Sequence, residues 1–436
     1  MKAPMSAASP RAAIATLAAL MRSRRFAPLF WCQFFSAFND NFVRNMLAML
    51  ILFRLGEQGA GVLVTLAVGI FVLPSLLLSG LGGEMADAQD KGRLARILKA
   101  AEIGVQLVAA AGLWLASLPL LYTALFGLGV IAALFGPLKY AILPDLLKTE
   151  ELIAANALVE AATFAAILLG LIAGGLSAAR SSESVTLQLL LIALACWGFS
   201  LFIPATSRAA PGLRITPNIL VSTGALLREV RRERQLWSRS VAVSWFWMTG
   251  AVALSLTPVV IRDRTGGGIG VETAVSALFA IGIGIGSMAA ALIAKGRILL
   301  RPVLFAAIGM GLFLIDLGVS TSRLPTARAT IGLEAFFTSA AGLRVSFDVA
   351  GLACAGGLFV VPLFTAIQAD APAAWRSRIV AGVNVLNSSL IVAGVAATAA
   401  LQSRAVGLSE PFLLGGLGVL TLGFAIYVRR CVAAAA

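Results

Sequence analysis

Twelve apolar segments of bilayer-spanning length follow one another along the 436-residue chain. Each is close to the ~20 residues that an α-helix needs to cross about 30 Å of hydrocarbon, and none alternates in polarity like a barrel strand. The segments are 28–53, 61–82, 97–118, 120–142, 153–178, 186–204, 238–261, 272–294, 302–319, 348–368, 379–401 and 410–428. This pattern predicts an all-α membrane protein with twelve transmembrane helices.

The composition agrees with a bilayer environment and narrows the chemistry. Hydrophobic residues make up 59% of the chain and charged residues only 12%, against about 25% charged residues in soluble domains. The chain has no histidine, which excludes Ser-His-Asp triads and His-ligated zinc or haem. Its four cysteines lie far apart and show no CxxC spacing. We therefore expect no enzyme activity, no metal site and no cofactor.

The formal net charge is +14, and its interpretation depends on which side of the membrane the Lys and Arg residues occupy. An even number of spans puts both termini on one side, and placing that side inside collects most of the 34 Lys and Arg residues there. The densest cluster lies between the sixth and seventh spans and comprises Arg208, Arg214, Arg228, Arg231, Arg232, Arg234 and Arg239. We expect cytoplasmic termini, anionic lipid head groups beside this cluster, and no nucleic-acid partner.

The spans divide the chain into five parts. We expect an N-terminal cytoplasmic segment (1–27), a first six-helix bundle (28–204), a basic cytoplasmic linker (205–237), a second six-helix bundle (238–428) and a cytoplasmic tail (429–436). Within the first part, residues 12–20 are apolar but too short to cross a bilayer, so at most they lie on its surface.

Short sequence patterns recur in the same order in both halves. A glycine precedes Lys-Gly-Arg by nine residues, Pro-Leu-x-x-Ala-Ile-x-x-Asp lies on the fourth span, and Asn-x-Leu lies on the fifth. The corresponding residues are Gly82 and Gly286, Lys91–Arg93 and Lys295–Arg297, Pro137–Asp145 and Pro362–Asp370, and Asn156 and Asn384. These echoes indicate a parallel repeat of two six-helix bundles, which is the major facilitator fold, with a cavity between bundles that opens by rocking.

The first span carries an unusual polar group near its middle. Asn39, Asp40, Asn41 and Arg44 lie there, and a buried charge at the bilayer centre costs on the order of 3 kcal/mol unless it has a partner or a function. Asp40 and Arg44 are spaced i,i+4 and are therefore expected to share a helix face and to pair. Two interpretations remain open: these residues line a substrate path, or they form a self-neutralised structural pair.

Other charged residues fall inside or beside the spans. Lys139 near the inner end of the fourth span and Glu160 in the fifth are expected to approach each other, either as an ion pair or as substrate contacts. Glu102 on the third span and Asp316 on the ninth have no obvious cationic partner in the sequence. Protonation in place is one way to accommodate such carboxyl groups.

The loop after the second span mixes charges of both signs. It contains Asp87, Lys91 and Arg93, and Asp145 follows the fourth span on the same side. One interpretation is a solvated turn. We favour a gate in which Asp87, and Arg93 facing Asp145, form contacts that break and re-form as the bundles rock.

Several of these stretches together resemble the bacterial lysophospholipid transporter family, over roughly residues 26–428. The resemblance rests on Phe26–Phe30, Gln33–Asn41, Ala86–Arg93, Gly136–Pro144, Glu151–Glu160, Ser244–Trp247, Gly282–Ser287, Phe359–Pro362 and Asn384–Asn387. In some members this transporter unit is fused to acyltransferase and acyl-activating domains. The loop at 87–93 departs from the usual Asp-x-x-Gly-Arg spacing of facilitators.

The resemblance implies movement of a lysophospholipid, such as lysophosphatidylethanolamine, from the outer to the inner leaflet of the bacterial inner membrane for reacylation. Acylation would then fall to a separate acyltransferase, and we expect the transporter to be a monomer. The phosphate would meet Arg44 or Lys139, and the ammonium group Asp40 or Glu160. Some members carry a cation on the seventh span, where this chain has the uncharged stretch 248–255. The alternative is an exporter of drugs or small solutes with the same fold.

Overall fold

The computed structural model describes residues 10–55, 57–178, 180–216, 218–403 and 406–433, so residues 1–9 of the predicted N-terminal segment and 434–436 of the predicted tail lie outside it. Sixteen α-helices make up most of the described chain. In chain order they are α1 (Pro10–Arg22), α2 (Ala27–Leu55), α3 (Glu57–Ala88), α4 (Lys91–Trp114), α5 (Leu118–Ala141), α6 (Leu143–Leu146), α7 (Thr149–Ser177), α8 (Ser182–Leu201), α9 (Ile219–Arg232), α10 (Arg234–Val260), α11 (Ile269–Ala294), α12 (Arg301–Ser322), α13 (Leu333–Thr338), α14 (Ala340–Asp370), α15 (Arg376–Gln402) and α16 (Glu410–Ala433).

Eleven helices of the described chain are long and apolar enough to span a membrane. The twelfth spanning helix, α2, has 29 residues. Its polar group around Asp40 lowers its hydropathy, and it packs along α7, α8 and α3 inside the first bundle. The chain is therefore a multi-pass membrane protein with twelve spanning helices, and the prediction of an all-α fold is confirmed.

Several helices begin earlier than the predicted spans because polar residues cap them. α4 begins at Lys91 rather than 97, since the Asp90 side chain accepts hydrogen bonds from the N–H groups of Gly92 and Arg93. α14 begins at Ala340 rather than 348, with Ser339 accepting from the Gly342 N–H. Hydropathy locates the hydrocarbon-crossing part of a helix, and caps locate its end.

The two bundles repeat the same helix packing. In the first bundle α2 packs on α7, α3 on α5, α4 on α5, and α4 on α8. In the second bundle α10 packs on α15, α11 on α14, α12 on α14, and α12 on α16. Each pair occupies the corresponding place in its half, so two matched six-helix bundles result. Close approach is most evident between α11 and α14, where a Cβ on Gly286 would overlap the carbonyl oxygen of Cys354.

The bundles meet through α3 with α15, α7 with α11 and α14, and α5 with α15. We call the basic end the end of the molecule that holds residues 89–90, α6, 202–216, 295–300 and 371–375. Within the described ranges, every hydrogen bond and ion pair between the two bundles lies at this end. The bundles are thus joined at the basic end.

Two short helices lie across the seams between the bundles at the basic end. α1 packs on α7 and α11, with Leu17 and Leu20 buried, so the predicted surface segment is a packed helix. α9, within the predicted basic linker, packs on α3 and α15. Ser222 of α9 donates a 2.6 Å hydrogen bond to buried Glu84 of α3, which fixes α9 to the first bundle.

Candidate functional site

A fully buried polar network joins α2 to α4. Lys99 Nζ lies 2.7 Å from Glu102 Oε2 and 2.6 Å from Ser36 Oγ. Asn39 Nδ2 donates to Glu102 Oε1 at 2.6 Å, and Asn39 Oδ1 accepts from Gln106 Nε2 at 2.9 Å. Lys99 and Glu102 are 0% and 1% exposed. The network neutralises its own charge, and both polar atoms of Asn39 have protein partners.

The expectation that Glu102 and Asp316 lack cationic partners is wrong for both residues. Glu102 pairs with Lys99 because α4 begins at Lys91, which puts Lys99 two turns inside the bundle rather than at its edge. Asp316 accepts two hydrogen bonds from Arg344, at 2.9 and 2.5 Å, because α14 begins eight residues earlier than predicted and includes Arg344. The Asp316–Arg344 pair is largely exposed, whereas the Lys99–Glu102 pair is part of the core.

The predicted Asp40–Arg44 ion pair is absent from the described residues. The Arg44 guanidinium instead donates to Oδ1 of Asn41, three residues earlier, and lies 5.6 Å from the centroid of the Phe71 ring on α3. Asn41 Nδ2 donates to the Ala37 carbonyl at 2.7 Å, which holds the Asn41 side chain in place. Asp40 and Arg44 are each half-buried. The spacing places Asp40 and Arg44 on one helix face, but the guanidinium of Arg44 hydrogen-bonds to the side-chain amide of Asn41 and not to Asp40.

Lys139 and Glu160 likewise form no ion pair in the described structure. Lys139 Nζ lies 4.8 Å from the centroid of the Tyr140 ring. Glu160 is 5% exposed, and its Oε1 has no hydrogen-bond partner. A buried acceptor without a partner costs about 1–3 kcal/mol, so this oxygen is available to an incoming donor.

In the first bundle, Asp40 and Arg44 on α2, Lys139 on α5 and Glu160 on α7 belong to none of the ion pairs of the described chain. Asp40 interacts electrostatically with Glu102 and Lys99 of the buried network as well as with Arg44 and Lys139, and Lys139 interacts with Glu160, Asp40 and Lys99. The group holds two cations and two carboxyl groups; Glu160 is buried and the other three side chains are half-buried. A zwitterionic ligand, with one anionic and one cationic group, matches such a set.

At the basic end, Asp87 joins α3 to α15. Its carboxylate accepts from Arg378 Nε at 3.0 Å, and from the backbone N–H groups of Ser377 at 3.0 Å and Arg378 at 3.2 Å. The Arg378 guanidinium also lies 3.5 Å from the centroid of the Trp375 ring. Asp87, predicted as a gating residue, therefore lies at a contact between the bundles.

Asp145 forms a second charged link. It accepts from Lys91 Nζ at 2.8 Å within the first bundle and from Arg376 of the second bundle at 2.9 Å. The expectation that Arg93 faces Asp145 is wrong. Lys91 is buried against Asp145, and Arg93 is exposed, because α4 starts at Lys91 and its first turn directs these two side chains to different sides.

Asp90 fixes the loop between α3 and α4. Burial raises the pKa of Asp90, but hydrogen bonds from the backbone N–H groups of Thr206, Gly92 and Arg93 lower it, and the net result is a pKa below its usual range. A Cβ on Gly92 would collide with the carbonyl oxygen of Pro204, so this position needs glycine. The loop is a structural turn held by these hydrogen bonds, next to the Asp87 contact between the bundles.

Uncharged repeat residues complete the contact between bundles. Asn156 Nδ2 on α7 donates to Thr365 Oγ1 at 3.1 Å and Gln368 Oε1 at 2.5 Å on α14. Gln368 Nε2 donates in turn to the Tyr140 carbonyl at 3.0 Å. Asn384, the repeat partner of Asn156, lies against Gly136 of the first bundle. In the Lys-Gly-Arg repeat of the second half, Lys295 forms no ion pair in the described chain. It instead ends α11 with a φ of 49°.

Two matched six-helix bundles, linked at one end by ion pairs and holding unpaired charges inside, define a membrane transporter rather than an enzyme. The sequence model described as "Major Facilitator Superfamily" matches residues 29–397. The chain belongs to this superfamily.

Curated relatives narrow the resemblance. The chain is similar to the lysophospholipid transporter LplT of Yersinia pestis (strain Pestoides F), with 32% identity over 277 residues, covering 62% of this chain and 64% of the relative. LplT of Yersinia pseudotuberculosis (serotype O:3, strain YPIII) matches with the same figures. The alignment thus spans somewhat less than two thirds of the length of these relatives.

Solved structures show the same fold. The human organic anion transporter MFSD10 (TETRAN) superposes with a TM-score of 0.73 at 16% identity, covering 92% of this chain and 99% of that one. A bacterial homologue of the iron transporter ferroportin, in an outward-facing state, superposes with a TM-score of 0.68 at 14% identity, covering 93% and 99%.

Proposed function

We propose that this protein moves lysophospholipids, such as lysophosphatidylethanolamine, from the outer to the inner leaflet of the bacterial inner membrane, where a separate acyltransferase reacylates them. The observation that carries the proposal is the charge group of Asp40, Arg44, Lys139 and Glu160, which lacks internal ion pairs although a neighbouring buried lysine has one. The similarity to curated lysophospholipid transporters supports the same substrate class.

The head group of such a lipid carries a phosphate and an ammonium group. We assign the phosphate to Arg44 and Lys139, and the ammonium group to Asp40 and Glu160, because hydrogen bonds between charged groups are about twice as strong as those between neutral groups. Asn41 orients the Arg44 guanidinium. Asn39 does not contact the head group in this proposal, because both polar atoms of its side chain are hydrogen-bonded to α4.

The acyl chain needs no polar partner. An apolar tail is stable in the hydrocarbon region of the bilayer. Only the head group must therefore pass through the protein interior, while the tail moves along a seam between the bundles. The two seams are formed by α3 with α15 and by α7 with α11.

We place the basic end in the cytoplasm, with both termini, because the positive-inside rule puts Lys and Arg there. In the described conformation the Asp87–Arg378 and Asp145–Arg376 contacts then close the cytoplasmic side. Alternating access requires these contacts to break when the head group is released inward. Asp87, Lys91 and Asp145 are the gating residues in this scheme, and Arg93 is not.

Reconstituted vesicles test the proposal. Purified protein in liposomes is given acyl-labelled lysophosphatidylethanolamine, and albumin extracts the label that remains in the outer leaflet. We expect the unextractable fraction to rise faster than in protein-free vesicles. A rate equal to that of empty vesicles would overturn the lipid proposal. Cellular drug resistance on overexpression, combined with that negative result, would support the exporter instead.

A further inference from the structure

A surface pocket of about 660 Å³ lies at the basic end of the first bundle, where α1, α2 and α8 meet. It is separate from the charge group inside the bundle. Its rim includes Arg22 and Arg24, and its apolar wall includes Trp31, Phe199 and Phe202. The pocket therefore combines positive charge and aromatic surface at the level where a spanning helix enters the membrane.

The two rim arginines have no acidic partner. Arg22 and Arg24 are exposed, and neither takes part in an ion pair of the described chain. Their neighbour Arg25 differs: its guanidinium lies 3.3 Å from Glu151 and 3.3 Å from the Leu146 carbonyl. None of the residues that line the pocket is acidic. Two positive charges are thus left to an external anion.

The aromatic wall is exposed on the surface of the protein. Phe202 is 71% exposed and Trp31 is 37% exposed. Trp31 stacks on Phe199 with ring centroids 6.2 Å apart, and Phe199 stacks on Phe35 at 5.7 Å. This stack provides a firm, flat surface for a hydrocarbon chain.

The order of the groups follows the polarity of a membrane lipid. α2 begins at Ala27, so at 1.5 Å per residue Trp31 lies about 6 Å deeper than the helix start, whereas the arginines precede it. Trp residues concentrate at this depth, just below the head groups. The arginines at the membrane surface and the aromatic rings below them match the order of phosphate and acyl chains in a phospholipid.

We propose that this pocket binds an anionic phospholipid of the leaflet at the basic end, with its phosphate between Arg22 and Arg24 and an acyl chain along Trp31 and Phe199. Because the rim offers two cations and no carboxylate, it favours a lipid without an ammonium group, such as phosphatidylglycerol. The interior site, with two carboxyl groups, has the opposite character. The proposal does not depend on the transported substrate.

Tryptophan quenching by brominated lipids tests the pocket directly. The protein is reconstituted in phosphatidylcholine that contains a small fraction of lipid with brominated acyl chains, either phosphatidylglycerol or phosphatidylcholine. The chain has seven Trp residues, so Trp31→Phe defines the Trp31 share of the signal. We expect brominated phosphatidylglycerol to quench Trp31 with a preference of roughly fivefold or more, since one basic residue near an anionic lipid contributes about that factor.

Paired variants separate the pocket from diffuse surface charge. Arg22→Gln with Arg24→Gln should remove the preference. Arg208→Gln with Arg214→Gln removes two exposed positive charges elsewhere at the same end and should leave it intact. Equal quenching of the wild type by both lipids, full preference in Trp31→Phe, or equal loss in both double variants would each overturn the proposal.

Discussion

The Asp87 carboxylate receives three hydrogen bonds from the start of α15, and the Arg378 side chain and backbone supply two of them. The contact is close because Gly83 lies one turn earlier on α3, where a Cβ would stand 2.9 Å from the Cα of Arg378. Asp87 is fully buried, so its charge depends on these partners. This is the most heavily bonded charged link between the bundles in the described chain.

Asp87→Asn should favour the state that is open at the basic end. Removing one charge of a buried pair leaves the other uncompensated, which typically costs about 3–5 kcal/mol. Part of that cost is relieved by opening, so we expect maleimide labelling of a cysteine placed at buried Ala381 to accelerate at least about tenfold, the factor for 1.4 kcal/mol. Labelling rates in membranes measure this.

Asp370→Asn is the matched control for that experiment. Asp370 is the repeat partner of Asp145 at the same end, but its ion pair with Arg239 lies within the second bundle. Its loss should leave labelling at position 381 near the wild-type rate. The gate assignment fails if Asp87→Asn labels at the wild-type rate, or if both variants accelerate equally.

Arg376→Gln and Arg93→Gln should differ, although each removes one arginine at the basic end. Arg376 bonds to Asp145 across the bundles, whereas Arg93 is exposed and belongs to no ion pair of the described residues. We expect accelerated labelling at position 381 only in Arg376→Gln. Faster labelling in Arg93→Gln would contradict this and would support the predicted contact between Arg93 and Asp145.

Lys99→Met should destabilise the protein by roughly 3–5 kcal/mol, because Glu102 would remain buried without its cation. The double variant Lys99→Met, Glu102→Gln should recover part of that loss. Asp316→Asn, which breaks the largely exposed pair with Arg344, should cost no more than about 1 kcal/mol. Thermal unfolding in detergent compares the three. A Lys99→Met variant as stable as Asp316→Asn would show that the network is not a core element.

Asp90→Ala should cost about 1 kcal/mol at neutral pH through loss of the α4 cap. Because the pKa of folded Asp90 is below its ordinary value of 3.8, its contribution is present above that value and is lost as the pH falls through the lower folded pKa. The difference in unfolding free energy between wild type and Asp90→Ala should therefore shrink only in strong acid. A difference that already shrinks between pH 7 and 5 would contradict this.

Sequence predicted the parts of this molecule that depend on local composition and on repetition. Hydropathy located the spans, and the echoes at Asn156 and Asn384 correctly indicated matched bundles. What it missed depends on helix ends and on contacts between bundles. Because Asp90 caps α4 early, Lys99 lies in the core. Arg376 and Arg378 pair with carboxylates of the other bundle, more than 200 residues away in the sequence, where no spacing rule applies. The only available signal was an Arg-x-Arg pair at the start of the eleventh span.

Glu160→Gln should discriminate between lipid head groups, which tests the interior site more sharply than loss of transport alone. If Glu160 receives an ammonium group, the variant should slow movement of lysophosphatidylethanolamine about tenfold or more, as expected for a lost hydrogen bond to a charged group. Lysophosphatidylglycerol has no ammonium group and should be much less affected. Lys139→Met should slow both lipids, because both carry the phosphate.

Glu183→Gln provides the control, since that carboxylate is exposed at the start of α8, a helix that carries none of the four charged residues. Both lipids should move at wild-type rates in it. Equal slowing of the two lipids in Glu160→Gln, with an unchanged unfolding temperature, would mean that the buried carboxyl group supports the bundle rather than the substrate. Slowing confined to the ammonium-bearing lipid would instead locate its head group beside α7, within reach of the Glu160 oxygen that has no protein partner.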